Sequence, residues 1–309
     1  MRSVDLALIG FGNVARRFVA LLDERRERLA AEHRLTCRVA GTATRRRGAE
    51  YEGVRCRDAL EVIERLGSSS ADLRIVVETT TLDVTNGEPA ISHVRAAIRA
   101  GCHVVTANKG PVAFAYDELR EAAARAGVQF LFEGAVMDGV PIFNLVRHTL
   151  PLVTISGFEG VVNTTTNHII TALEAGDSFE HALAKMQAEG IAEADPSLDV
   201  DGWDAAAKAA ALANVLMDAG VTPHDVRRTG IDAGTGDAAR AALADGRRLK
   251  LVASGRRNPD GALELVVEPR ALPQDHLLAR LDGSANALIL ETDLLDRIAI
   301  TQLSGSLTQ

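Results

Sequence analysis

The first 132 residues alternate between short apolar runs and longer stretches with helical spacing. Apolar, β-rich runs occur at Val4–Ile9, Leu35–Ala43, Leu73–Glu78, His103–Thr106 and Gln129–Phe132. Between them the apolar positions follow a helical period over Asn13–Leu29, in a short stretch after Asp58, over Pro89–Ala100 and over Tyr116–Ala126. Pro89 suits the first turn of its helix, where its missing N–H costs nothing, and Gly101 and Gly127 suit helix stops. Strands that alternate with helices build βαβ units, so this stretch predicts a doubly wound parallel sheet.

Beyond it the pattern changes. Pro141–Leu150 reads as a helix, Thr154–Val162 as a strand, and Asn167–Ala175 and Phe179–Glu189 as two more helices. Asp201–Ala219 reads as a long helix stopped by Gly220, with Pro223 just past it. Strand-like runs follow at Leu249–Ala253, Leu263–Glu268, Ala287–Glu291 and Arg297–Thr301, joined by polar turns such as Asn258-Pro259-Asp260-Gly261. This predicts a second, α+β domain with a mainly antiparallel sheet. The expected organisation is residues 1–132, then 133–292, then a C-terminal return segment, 293–309.

With 309 residues and 47% hydrophobic content, the chain has material for two buried cores. No apolar run approaches the roughly 18 residues of a membrane span, and the N-terminus lacks the pattern of a signal peptide. Three cysteines (Cys37, Cys56, Cys102) are an odd number without metal-ligand spacing, which argues against a disulfide framework and against zinc. A net charge of -8 argues against nucleic-acid and anionic-membrane partners. The expectation is a soluble, reduced, cytoplasmic globular protein. Only four of its 34 basic residues are lysines: Lys109, Lys185, Lys208 and Lys250. Lysine can surrender its proton where arginine cannot, so each of the four invites a chemical explanation.

Gly10-Phe11-Gly12-Asn13-Val14-Ala15 follows the first strand and opens the first helix. It is the GxGxxA variant of the dinucleotide fingerprint of Rossmann-type domains: a tight turn, a close backbone approach to pyrophosphate, and a small residue where helix meets strand. Free N–H groups at the helix start, Asn13 and Val14 among them, suit phosphate. The second strand ends near Thr44, where NAD-specific proteins carry a carboxylate for the ribose. None is present, and Arg45, Arg46 and Arg47 follow instead. They could neutralise a 2′-phosphate, which favours NADP over NAD; the same run also suits a solvated basic loop.

In the second domain five carboxylates (Glu193, Asp195, Asp199, Asp201, Asp204) precede Lys208. Asp201 is expected to cap a helix apolar nearly all round, hence buried. Asp201, Asp204 and Lys208 fall on one stripe of it, which should face a cleft. The plainer alternative is an ordinary helix ion pair, worth roughly a few tenths of a kcal/mol.

At this point the residues resemble a known family. Gly87-Glu88-Pro89-Ala90, Thr106-Ala107-Asn108-Lys109-Gly110-Pro111, and the run from Gly160-Val161-Val162-Asn163 through Ala192-Glu193-Ala194-Asp195-Pro196-Ser197-Leu198-Asp199-Val200-Asp201-Gly202 to Asp204 and Lys208 are similar to segments of homoserine dehydrogenases. The resemblance covers nearly the whole chain. It implies interconversion of L-aspartate 4-semialdehyde and L-homoserine with NAD(P)(H), in a homodimer built through the second domain. It also implies Lys208 as the acid/base and Lys109 as a second active-site lysine. Glu193 and Asp204 would hold the substrate's amino group, Asp199 would lie near the reacting oxygen, and Asn163 and Thr165 would complete the substrate site. Thr79, Thr80 and Asn108 would join the cofactor contacts. Glu133, with the carbonyls of Val136, Asp138 and Val140, matches a monovalent-cation site such as one for Na⁺.

Three departures stand out. Asn163-Thr164-Thr165-Thr166-Asn167-His168 carries Thr164 for a glycine and His168 for a tyrosine, and Met137-Asp138 replaces glycines after Val136. The family generally continues into a C-terminal helix, whereas these residues end at Gln309 and leave no room for an ACT domain. The departures motivate two rival readings: a paralogue that reduces a different small amino-aldehyde, and a non-catalytic NADP-binding sensor.

Overall fold

The computed structural model describes residues 1–188, 192 and 195–303, and the chain divides between Asp138 and Gly139 into two units. The first contains β1 (Arg2–Ile9), α1 (Asn13–Glu24), α2 (Arg26–His33), β2 (Leu35–Thr44), β3 (Gly48–Tyr51), β4 (Val54–Cys56), α3 (Ala59–Gly67), β5 (Leu73–Glu78), α4 (Ala90–Arg99), β6 (His103–Thr106), α5 (Gly110–Ala126) and β7 (Phe130–Leu131). Six consecutive residues of β1, Val4 to Ile9, are buried, as a strand covered on both faces requires. β1 is the middle strand in the order β4-β3-β2-β1-β5-β6-β7. It pairs in parallel with β2 on one side and β5 on the other. The strand order therefore reverses between β1 and β5, and ligands of such sheets sit outside the carboxyl ends at that switch.

Three local differences from the sequence expectation have physical causes. The helix expected over Asn13–Leu29 is two helices that meet at Arg25, because Phe18, Val19 and Leu22 pack on β1 while α2 buries no residue. α5 begins at Gly110, six residues before the expected Tyr116, and departs from helical geometry at Ala115. Pro111 lies in its first turn, where proline is tolerated. β3 and β4 add an antiparallel hairpin to the sheet edge; four and three residues are too short to register as alternation.

The second unit contains α6 (Ile142–Thr149), β8 (Ile155–Val161), α7 (Thr164–Glu174), α8 (Phe179–Ala188), α9 (Ser197–Val200), α10 (Trp203–Met217), β9 (Arg227–Arg228), α11 (Thr235–Ala244), β10 (Arg247–Arg257), β11 (Leu263–Pro273), β12 (Asn286–Thr292) and β13 (Arg297–Gln302). Its sheet runs β13-β12-β8-β10-β11-β9 and is antiparallel apart from the short β11–β9 pairing. α7, α10 and α11 pack against β10.

The long helix expected over Asp201–Ala219 is present as α10, but it starts at Trp203, and the separate short helix α9 ends just before Asp201. Ile231 N–H donates to the Val200 carbonyl at 2.7 Å, and Gly230 lies so close that a Cβ there would sit 2.2 Å from the same oxygen. That contact turns the chain, and Gly202, at φ +79°, becomes the N-cap of α10. Asp201 is exposed in the bend, where it is the C-cap of α9 and not the N-cap of α10, so it leaves the expected stripe. α10 is otherwise as expected, with Ala205–Ala207 and Ala209–Ala213 all buried. Among the described residues no helix is long and apolar enough to cross a membrane.

Candidate functional site

Two groups of residues carry the candidate chemistry, one in each unit. In the first, the fingerprint lies at the sheet switch. Gly10 N–H donates to the Ala43 carbonyl at 2.9 Å, and Thr79 N–H to the Ile9 carbonyl at 2.7 Å. A Cβ at Gly10 (φ +90°) would lie 2.5 Å from the Thr79 carbonyl oxygen, so only glycine lets these ends meet. A Cβ at Gly12 would meet nothing within 4 Å. Gly12 is the N-cap of α1, makes no side-chain cap bond, and the first turn holds no acidic residue. The first turn of α1, with the N–H groups of Asn13 and Val14, thus presents the positive end of the helix without a side-chain cap. Val14 itself is half-exposed. This arrangement fits a dinucleotide pyrophosphate. Arg45 to Arg47 form the exposed turn between β2 and β3, tied by Arg47 N–H donating to Thr44 Oγ1 at 2.8 Å.

The strand ends beside the fingerprint are joined by buried polar groups. The Glu78 carboxylate accepts from the Thr80 N–H at 3.1 Å, from the Thr80 hydroxyl, and from the Thr106 hydroxyl at 3.0 Å. Thr106 Oγ1 accepts from the Asn108 N–H at 3.0 Å. Asn108 Nδ2 donates to the Thr80 carbonyl at 3.0 Å, and its Oδ1 accepts from the Gly110 N–H at 2.8 Å. Lys109 is the N-cap of α5.

In the second unit Asn163 is the N-cap of α7, with Oδ1 accepting from the Thr166 N–H at 2.8 Å. That cap starts the helix at Thr164 rather than at the expected Asn167. Asn163 Nδ2 donates to Asp199 Oδ1 at 2.6 Å and to Asp204 Oδ2 at 2.9 Å. Lys208 Nζ lies 2.9 Å from the same Asp204 oxygen and also donates to the Val162 carbonyl. Burial, and then the Asp204 charge, push the Asp199 carboxyl above the usual carboxylate range. Hydrogen bonds from Asn163 and Thr165 and the Lys208 charge work the other way. The structure thus brings Asn163, Thr165, Asp199, Asp204 and Lys208 together around one small group of oxygens. Glu193 lies outside the described residues.

Glu133 opens a single 3-10 turn, Glu133–Ala135, and Val136 is buried. Asp138 takes φ +49°, the left-handed region that glycine enters freely and aspartate more readily than most residues. A glycine-like backbone is therefore kept where the family's glycine has been replaced. Among the described residues no cluster of three His, Cys, Asp or Glu side chains suits a metal ion, so a cation here would rest on carbonyls and Glu133.

Sequence reasoning missed three participants. The Val162 carbonyl has no side-chain signature. Thr106 was read only as part of a motif. Glu78 closes the apolar run Ile75–Val77, and a carboxylate at the end of such a run is the signal that could have found it.

Residues 141–306 match the family described as homoserine dehydrogenase, and residues 10–133 match the family described as its NAD binding domain. The chain is 36% identical over 320 residues to the NAD(+)-dependent homoserine dehydrogenase of Pseudomonas canavaninivorans, covering 97% of this chain and 91% of that protein. It is 34% identical over 315 residues to the homoserine dehydrogenase of Methanocaldococcus jannaschii, covering 96% and 92%. Among solved structures, a homoserine dehydrogenase from Thiobacillus denitrificans matches with a TM-score of 0.85 at 30% identity, over 100% of this chain and 70% of that one.

Proposed function

The chain belongs to the homoserine dehydrogenase family, and from that premise we propose that it interconverts L-homoserine and L-aspartate 4-semialdehyde by hydride transfer. The observation that carries this reading is Lys208 held between Asp204 and the Val162 carbonyl, beside the buried Asp199. A bound nicotinamide cofactor supplies or takes the hydride. In reduction the aldehyde carbon gains that hydride while its oxygen gains the proton held at Lys208 Nζ; in oxidation Lys208 takes the proton back. A cationic lysine stabilises the alkoxide charge as it develops. Glu193 and Asp204 hold the substrate's amino group, Asp199 lies near the reacting oxygen, and Asn163 and Thr165 complete the substrate site. Lys109, at the carboxyl end of a parallel strand, positions substrate or nicotinamide.

Our reading of the cofactor is NADP(H) in preference to NAD(H). It is supported by the exposed Arg45 and Arg46 and by the lack of a carboxylate at Thr44; Gly10, Gly12, Asn13, Val14, Thr79, Thr80 and Asn108 would make the remaining contacts. Na⁺ or K⁺ would bind to Glu133 and the carbonyls of Val136, Asp138 and Val140. We read the chain as a cytoplasmic homodimer joined through the second unit's sheet. On that sheet Glu159 pairs with Arg270 at 2.7 Å and Arg256 with Glu291 at 2.8 Å. The decisive experiment is NADP(H)-linked turnover of both compounds by the purified chain. Turnover of another amino-aldehyde at a far higher kcat/KM, or none at all, refutes the reading.

A further inference from the structure

Glu78 is fully buried, and among the described residues no lysine or arginine lies within ion-pair distance of it. His93 on α4 lies beside it, with Nδ1 3.7 Å away and without a hydrogen bond. A buried carboxylate without a cation is costly unless its oxygens are saturated by donors. Here the donors are Thr80, by N–H and hydroxyl, and the Thr106 hydroxyl. Having donated to Glu78, Thr106 Oγ1 has its lone pairs left for the Asn108 N–H. Asn108 in turn clamps the Thr80 carbonyl and the Gly110 N–H. The carboxylate therefore orients the Thr80 and Thr106 hydroxyls in a closed circuit of hydrogen bonds. Thr106 and Asn108 are themselves buried and Thr80 is half-buried, which restricts water from taking the place of the Thr106 hydroxyl.

The circuit ties the end of β5 to the end of β6 on the ligand side of the sheet, and Lys109 is the next residue along. Hydride transfer depends on placement: a misplacement of about 1 Å can cost about 100-fold in rate. We propose that Glu78 is a positioning residue for hydride transfer, acting through Thr80, Thr106 and Asn108 on the backbone that carries Lys109. The proposal rests on the reading of these strand ends as the nicotinamide side of a homoserine dehydrogenase.

The test compares Glu78→Gln, Thr106→Val and Thr106→Ser with the unmodified full chain. The readouts are kcat, KM for homoserine, and the primary isotope effect with homoserine deuterated at its hydroxyl-bearing carbon. Glu78→Gln and Thr106→Val are expected to lower kcat about tenfold, to leave KM within about twofold, and to raise the isotope effect as hydride transfer becomes more limiting. Thr106→Ser keeps the hydroxyl and restores kcat. Serine and valine variants equally impaired, or a raised KM with kcat and isotope effect unchanged, overturn the proposal. Should Glu78→Gln fail to fold, the valine–serine pair alone decides. Absence of homoserine turnover in the unmodified chain is a different failure: it removes the premise before any variant is made.

Discussion

Asp204 and Lys208 stand one helical turn apart on α10, with carboxylate and ammonium 2.9 Å from each other and each side chain less than 15% exposed. An exposed pair at this spacing would contribute little. This one is pinned from both ends, since the same Asp204 oxygen accepts from Asn163 and the ammonium also donates to the Val162 carbonyl. The pair therefore holds one amine in one place, which suits a proton donor better than a surface ion pair.

Lys208→Ala is expected to lower kcat by about 10²–10⁴-fold, the usual contribution of general acid catalysis. Cofactor affinity, followed by fluorescence titration, should stay nearly unchanged. Lys208→Arg should be almost as damaging, because arginine keeps the charge but does not deliver the proton. If the arginine variant kept most of the rate, the residue would be an electrostatic anchor only.

Asp199 gives a prediction that separates stability from function. Burial and the neighbouring Asp204 hold its carboxyl above the ordinary 3.8. Ionising it thus costs more in the folded chain than in the unfolded one. The stability this group contributes is fully present below pH 3.8 and is lost as pH rises through its raised folded value. Asp199→Asn should melt at a higher temperature than the parent at pH 7, with the gap closing toward pH 4. Its kcat/KM for homoserine should fall about tenfold or more, the effect of losing a charged hydrogen-bonding partner. An equal or lower melting temperature at pH 7 would contradict this.

What the sequence made legible was what is written locally. The Gly10–Gly12 spacing on a strand–turn–helix is readable within one turn, and the buried alanines of α10 follow from its composition. The stripe through Asp201 failed because a tertiary contact decides it. Gly230, 28 residues beyond Gly202 along the chain, packs against Val200 and leaves Asp201 in the turn between α9 and α10. Nothing near Asp201 announces that. The Val162 carbonyl and the Glu78 circuit were hidden for a related reason: backbone acceptors and hydroxyl relays gain meaning only when strand ends are side by side.

Arg45→Ala/Arg46→Ala should raise the KM for NADPH about tenfold or more, since charge-assisted bonds to a 2′-phosphate contribute roughly 1.5–3 kcal/mol. The KM for NADH should barely move. The Pseudomonas relative bears an NAD(+)-dependent name, which makes the comparison informative. Equal losses for both cofactors would mean that the exposed turn carries no cofactor selectivity.

Lys250 offers the sharpest test of electrostatics away from the reacting groups. It is fully buried; its ammonium donates to Asn167 Oδ1 at 3.1 Å and to the Leu281 carbonyl, and lies 3.7 Å from Asp282. Asn167 Nδ2 donates to the Gly283 and Ala285 carbonyls, so this lysine fastens the 281–285 segment to α7. Burial, with help from Arg248, pushes its pKa from the ordinary 10.5 down to about 8, against the pull of Glu174 and Asp282. At pH 7 both folded and unfolded chains hold the proton, and keeping it in the folded state costs about 3 kcal/mol at roughly 1.36 kcal/mol per pH unit. Above pH 8 the folded chain releases the proton while the unfolded chain keeps it until about 10.5, so this group's contribution to stability rises with pH. Lys250→Met removes the penalty but leaves the Leu281 carbonyl and the Asn167 side chain short of a donor, at about 1–3 kcal/mol each. The two effects oppose each other, and at pH 7 the variant should melt close to the parent. Between pH 8 and pH 10 the parent should gain on the variant, as urea titrations at several pH values would measure. A difference that stays constant across that range would mean that Lys250 keeps its proton in the folded chain.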